Sequence, residues 1–363
     1  MTWQSPSVRA LRVSSLAAVV LALGAAAALS SRSDAATPRL QSPNRAEIAN
    51  APSAIPDSSL SAGAARRLLV TQPSLWGGDF VAASGETLTI LVSDTYPMDP
   101  AIAQRWANFF GTLVHGTELS DLTAYLLPIS EVESFCGDEA LACYSPNRSI
   151  LVAPGEDPDI DVSAEAVVAH EYGHHVAAHR SNAPWAAVDW GTKRWATDER
   201  ICARVRAGDL YPGAEDGRRY RLNPGEGFAE SYRLLNQRKL GLPVTPWLVV
   251  SPTLVPDGRA LAALEQDVVQ PWTRRGTSTL RGRLTAARTS RSFTISTPLD
   301  GRLSVSLRSP RGARFAFRLA SGGQRVASGS SPATTTVCGQ RSYRLDVRRI
   351  RGAGSFAVSV AKP

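Results

Sequence analysis

A chain of 363 residues is long enough for two domains and a proper hydrophobic core. Its net charge of +8 rests on arginine, with Lys193, Lys239 and Lys362 the only lysines, and it gathers late: beyond Glu265 the acidic residues are Asp267, Asp300 and Asp346. A basic surface of this kind attracts polyanions, but no set of stacking aromatics interleaves with the arginines, so nucleic acid is not an expected partner.

At the N-terminus, Arg9 and Arg12 precede "LAAVVLALGAAAAL", an apolar run of signal-peptide length, and "SDAAT" supplies small residues for cleavage after Ala35. Residues 1–35 are therefore expected to be a signal peptide, with an uncleaved anchor as the lesser alternative. The mature protein is expected outside the cytoplasm, either free or associated with a cell wall. Residues 36–66 are rich in Ala, Ser and Pro without sustained periodicity and read as a linker or pro-segment. Order is expected from "RRLLV" onward, with one domain over 67–272 and a second over 273–363.

Next, "ETLTILVSD" alternates as a strand does, and "DPAIAQRWANFFGTLVHG" spaces Ile102, Trp106, Phe109, Phe110 and Leu113 as a helix does. "LTAYLLPI" and "RSILVAP" read as two further strands. Four cysteines suit an oxidising compartment and allow three pairings. Cys136 and Cys143 bracket a loop short enough to close on itself, which leaves Cys202 to meet Cys338, and this pairing is favoured. A zinc site built from these cysteines is not expected, because no CxxC spacing occurs.

Four of the five histidines fall within "AEAVVAHEYGHHVAAHR", residues 164–180. On a helix, His170 and His174 lie one above the other and their rings can converge on one point. This is HExxH, a pattern in which two neutral imidazoles ligate zinc and the intervening carboxylate, here Glu171, takes a proton from the attacking water. Gly173 costs roughly 1 kcal/mol relative to Ala inside a helix, which fits a position that another backbone or a substrate must approach closely. Ser163 is the expected N-cap, and Glu165 suits the positive end of the helix. His175 and His179 fall off the ligand face and read as surface or packing residues, His115 as structural, and Tyr172 and Tyr232 as core.

"TDERICARVRAG" is expected to form one helix carrying Cys202, and "NPGEGFAESYRLLNQRKLG" another, starting at Pro224 and stopping at Gly241. "DGRALAALEQDVVQPW" completes the helical part. Beyond Trp272, "RSFTIST", "GRLSVSLRS", "ARFAFRLAS", "SYRLDVRR" and "SFAVSVA" alternate between Gly, Ser and Pro turns, the pattern of a small antiparallel sandwich or jelly roll.

A catalytic zinc site has three protein ligands and an open position. After His174 the sequence lacks the Gly and third His of the extended metzincin motif, so the third ligand is expected from a downstream glutamate. Glu226 and Glu230, four apart on one helical face, supply the candidates: Glu226 to bind the ion, and Glu230 to accept the distal N–H of a ligating imidazole.

"HEYGHH" followed by "PGEGFAESYR" resembles the gluzincin group of zinc metallopeptidases, and its second half is similar to the glutamate helix of the anthrax-lethal-factor-type enzymes. The resemblance implies an α+β zincin-like catalytic domain, a short β-sheet with an active-site helix and a glutamate helix, followed by the all-β domain. It implies one catalytic zinc ion held by His170, His174 and Glu226, with Glu171 as general base and Glu230 in support. Such enzymes often place a tyrosine shortly before the ligating glutamate to steady the developing oxyanion, and Tyr220 occupies about that place, one residue closer than in the toxin relative. His174 and Glu226 are 52 residues apart, longer than in the thermolysin-like branch. The last of the three strands is expected to line the cleft and pair with an extended peptide. "CGDEALACYSPNRSILVAP" resembles the disulfide-then-strand entry of secreted bacterial neutral zinc peptidases.

The expected function is therefore that of a secreted zinc-dependent metallopeptidase acting on a peptide or protein substrate. The basic C-terminal region resembles accessory domains attached to secreted bacterial peptidases, which implies targeting to an anionic wall polymer or surface. The alternative is a noncatalytic wall-binding or adhesion protein with a structural or vestigial zinc. Glu171 counts against it, since a structural site needs no base.

Overall fold

In a computed structural model of the chain, residues 74–158, 161–215, 217–246, 250–339 and 341–363 are described. The expected signal peptide, the 36–66 linker and the start of order at "RRLLV" lie outside the described residues.

The three strands legible in the sequence form the middle of a five-stranded mixed sheet. Its order is β1 (Leu75–Val81), β2 (Thr87–Ser93), β3 (Thr123–Leu127), β5 (Ile150–Pro154) and β4 (Cys143–Ser145). β2, β3 and β5 run parallel, while β1 and β4 close the two edges antiparallel. β5 is buried along its whole length, as parallel strands covered on both faces are. β1 was not legible because Gly77 and Gly78 interrupt its alternation. Gly77, at φ +125°, passes so close to β2 that a Cβ there would lie 2.2 Å from the Ile90 carbonyl oxygen.

One expectation needs correction at the far edge. β5 is not the rim of the sheet, because Cys143–Ser145 pairs alongside it with Cys143 opposite Val152. The short β4, entered directly from the Cys136–Cys143 disulfide, holds that place. A further helix, α2 (Ile129–Cys136), fills the stretch between β3 and this disulfide.

α1 (Pro100–Thr112) begins where Asp99 accepts a hydrogen bond from the Ala101 N–H and Pro100 takes the first turn. It buries Ala103, Trp106, Ala107 and Phe110. α3 (Ala164–Ala178) starts at Ser163, whose hydroxyl accepts from the Ala166 N–H, and it is buried nearly throughout. After the small hairpin of β6 (Ser181–Asn182) and β7 (Trp185–Ala186) come α4 (Ala187–Trp190), α5 (Lys193–Asp198) and α6 (Ile201–Ala207). The single helix expected over "TDERICARVRAG" is thus broken: Arg200 takes φ +58°, a left-handed conformation that no helix can continue through. α7 (Gly217–Tyr220), α8 (Pro224–Leu240) and α9 (Gly258–Val269) follow. α8 is capped by the Asn223 side chain and ends at left-handed Gly241.

From Gly276 onward the chain is all β. One sheet has the order β13 (Ala333–Val337), β10 (Gly301–Arg308), β15 (Gly354–Lys362), β8 (Gly276–Leu284). The other has the order β12 (Gln324–Gly329), β11 (Arg314–Ser321), β14 (Arg341–Arg351), β9 (Ser290–Thr297). Their inward residues, among them Val305, Phe315, Phe317, Leu345, Phe356 and Val358, form one apolar core.

The Cys202–Cys338 disulfide joins α6 to the end of β13. Around it Arg206 donates to the Thr336 carbonyl at 2.9 Å, and the Asp300 N–H donates to the Thr197 hydroxyl at 3.0 Å. Lys193 is buried at this seam, its ammonium 2.6 Å from the Ala183 carbonyl oxygen and over the rings of Trp185 and Trp272. Both favoured disulfides are present, which fits an oxidising compartment. Among the described residues no helix is long and apolar enough to cross a membrane.

Candidate metal centre

α3 and α8 cross in direct backbone contact. A Cβ on Gly173 would stand 2.8 Å from the Ala229 α-carbon and 3.1 Å from its carbonyl oxygen, so only glycine permits this approach. His170 and Glu226 each lie three residues before the crossing point, and His174 one residue after it. The close approach therefore brings the imidazoles of one helix against the carboxylate of the other.

The Glu226 Oε2 lies 3.4 Å from the His170 Nε2 and 3.2 Å from the His174 Nε2. One ligand atom from each of the three residues falls within 4.8 Å of the others, and all three side chains are buried. The group could hold a metal ion. Its donors fit one, because Glu230 fixes the tautomer of the first imidazole. The Glu230 Oε2 is 3.0 Å from the His170 Nδ1, and a carboxylate only accepts, so Nδ1 carries the hydrogen and Nε2 turns its lone pair toward Glu226. Electron-pair donors gathered in a dry pocket repel one another unless a cation lies among them.

Glu230 is itself held as a carboxylate. Burial would raise its pKa, but the charge and hydrogen bonds of Arg233, helped by His170, outweigh this and hold it at about 2. The guanidinium grips both oxygens, Nε to Oε2 at 2.8 Å and Nη2 to Oε1 at 2.6 Å. It also donates to the Thr245 and Pro246 carbonyls and to the Gln237 side chain.

Tyr220, at the end of α7, donates its hydroxyl to the Glu226 Oε2 at 3.2 Å. The predicted tyrosine thus stands beside the candidate ligand. Asn223 serves Glu226 as well as the helix start: its Oδ1 accepts from the Gly225 N–H, while its Nδ2 reaches the Glu226 Oε1 at 3.4 Å. Glu171, adjacent to His170 on α3, is 1% exposed, which places the candidate base out of bulk water.

The remaining histidines serve elsewhere. Burial pushes the His175 pKa down to about 4. Its Nε2 donates to the Glu118 carbonyl at 2.8 Å and its Nδ1 accepts from the Tyr144 hydroxyl at 2.9 Å. His179 Nδ1 donates to the His175 carbonyl, and His115 Nδ1 lies against the Gly116 carbonyl. Tyr172 and Tyr232 are core residues. Sequence reasoning missed Arg233 and Asn223. The signals available were the Glu-x-x-Arg spacing in "ESYR" and an N-cap asparagine three residues before a candidate ligand.

No protein-family model matches the chain, and no curated protein matches its sequence. Among solved structures it is similar to the pre-peptidase C-terminal domain of a collagenase from Bacillus anthracis, at 18% identity and TM-score 0.22, covering 23% of this chain and 88% of that one. It is also similar to a Yersinia pseudotuberculosis-derived mitogen, at 12% identity and TM-score 0.21, covering 24% and 87%. A third likeness is to PliG of Aeromonas hydrophila, a periplasmic inhibitor of g-type lysozyme, at 15% identity and TM-score 0.21, covering 26% and 91%. Each likeness extends over about a quarter of this chain.

Proposed function

We propose that the chain is a secreted zinc-dependent peptidase, with a zincin-like catalytic domain over 67–272 and a β-sandwich accessory domain over 273–363. The observation that carries this reading is the meeting of His170, His174 and Glu226 where α3 crosses α8, with Glu171 beside the first histidine. Two imidazoles and one carboxylate are a donor set that suits zinc and leaves a coordination position open.

His170, His174 and Glu226 would hold the ion, which when bound would polarise a carbonyl group and make a water acidic enough to attack it. Glu171 accepts a proton from the attacking water and returns it to the departing amine. Its burial keeps competing water away from that exchange. The Tyr220 hydroxyl, which donates to Glu226, would turn toward a developing oxyanion and donate to it. Glu230, kept anionic by Arg233, holds the His170 ring in the tautomer and orientation that ligation needs.

The test is a metal analysis of the purified protein combined with digestion of casein and of a peptide library, with and without a chelator. Stoichiometric zinc and chelator-sensitive cleavage are expected. A protein that retains no divalent metal and cleaves no peptide removes the proposal.

A further inference from the structure

Residues 273–363 carry seventeen arginines and one lysine against Asp300 and Asp346 alone. Both aspartates are engaged. Asp346 accepts from Ser292 and Arg344, while Asp300 is buried and accepts from the Gly339 N–H. The positive charge is therefore not neutralised within the sandwich, and at one place it converges.

Phe356 and Val358 point into the core, so Ser355 and Ala357 face outward from β15. Ala357 is paired on one side with Arg308 of β10 and on the other with Arg281 of β8, and Ser355 is paired with Arg283. Arg308 and Arg281 thus stand on either side of a small residue, about 10 Å apart at two strand spacings. Arg291 joins them from the edge of the other sheet. A Cβ on Gly282 would lie 2.9 Å from its Cδ, so the missing side chain leaves the space that the arginine stem occupies. These four arginines line a cleft of about 610 Å³ together with Ser309 and Ser355, and no carboxylate lines it. All four are exposed.

We propose that this cleft binds a linear phosphodiester polymer, one charge per unit and without bases. Guanidinium forks match the paired free oxygens of a phosphodiester, and four cations spread over such a cleft exceed what a single phosphate needs. Polymers read by their ring faces, nucleic acids and uronate polysaccharides among them, are disfavoured because no aromatic face is offered. Arg291 covers the Phe293 ring, and Phe356 is buried. A bilayer is disfavoured because the large apolar side chain at the cleft, Phe356, is buried and so offers little apolar surface to insert. The site does not depend on the peptidase reading, and Glu171→Gln leaves its affinity unchanged.

The experiment uses the full chain and end-labelled poly(glycerol phosphate), with anisotropy titrations between about 50 and about 200 mM salt. The variant Arg281→Ser/Arg308→Ser is compared with Arg314→Ser/Arg325→Ser, which removes the same charge from the other sheet. The cleft variant is expected to lose at least about tenfold in affinity and roughly 1.5 in salt slope, while the control stays within about threefold. Arg281→Lys/Arg308→Lys, which keeps the charge and loses the forks, should fall between. Equal losses in both serine variants, unchanged binding in the cleft variant, tighter binding of polygalacturonate or single-stranded DNA, or binding to anionic vesicles alone would each overturn the proposal.

Discussion

Gly173 of α3 and Ala229 of α8 touch through their backbones, and the whole candidate site depends on that contact, since it sets how closely the two histidines face Glu226. Gly173→Ala gains up to about 1 kcal/mol in helix propensity. The neighbour, however, is backbone and cannot rotate aside, so an overpacking cost of roughly 1–3 kcal/mol opposes it. The variant is expected to melt lower and to bind zinc at least about tenfold more weakly. Thermal melts of chelator-treated protein and competitive zinc titrations measure the two effects separately. Normal affinity at normal stability would mean that the helices do not cross here.

Glu171→Gln keeps the size and burial of the side chain and removes its basicity. Metal content and fold should be unchanged, while turnover of a cleaved peptide falls by at least about 100-fold. Near-normal turnover in a zinc-loaded variant would assign the proton transfer to another group.

The order of effects within the carboxylates separates ligand from support. Glu226→Ala removes a donor and should abolish metal retention through dialysis against a weak chelator. Glu230→Ala and Arg233→Met act only through the orientation of His170 and should weaken affinity by about 10–100-fold. Arg233→Lys should recover part of the loss, because the charge returns without the two-point grip. The opposite ranking would exchange the roles of Glu226 and Glu230.

What was legible in the sequence is what local spacing encodes. His170 and His174, like Glu226 and Glu230, are each one helical turn apart, and Ser163, Pro224 and Gly241 mark helix ends by their own chemistry. The strands at the centre of the second part, β10, β11, β14 and β15, show alternation because one face is core. β8, β12 and β13 lie at sheet edges; β8 is mostly exposed, and β12 and β13 are short, polar and largely half-buried, so no apolar period marks them. β9, also an edge strand, keeps its alternation with Ile295 and Thr297 buried. The break at Arg200 is a left-handed turn at a residue that rarely adopts one. Arg233 could not be told from an ordinary solvated helix arginine, because its burial depends on the 245–246 segment folding back over it.

The seam near the Cys202–Cys338 disulfide should be sensitive to pH. Burial pushes the Asp300 carboxyl up to about 6 from an ordinary 3.8, despite the opposing pull of the Gly339 N–H and Lys193. Burial likewise pushes Lys193 down to about 8, against Asp300 and Asp267. Below about pH 4, Asp300 is protonated in both folded and unfolded chains and contributes no difference. Between about 4 and 6 the folded chain keeps a proton that the unfolded chain has lost, so stability falls as pH rises, and the loss persists above 6. Lys193 adds a loss of its own as pH falls from 10.5 through 8, so both groups weigh on the fold at neutral pH. Asp300→Asn keeps an oxygen for the Gly339 N–H and removes the buried charge. Relative to the native chain it should gain nothing at pH 4 and about 1–3 kcal/mol by pH 7, an order-of-magnitude figure from the size of the shift. Denaturant unfolding of both proteins at pH 4, 5, 6 and 7 measures the difference, and a difference that does not vary with pH would show that Asp300 titrates as an exposed carboxyl does.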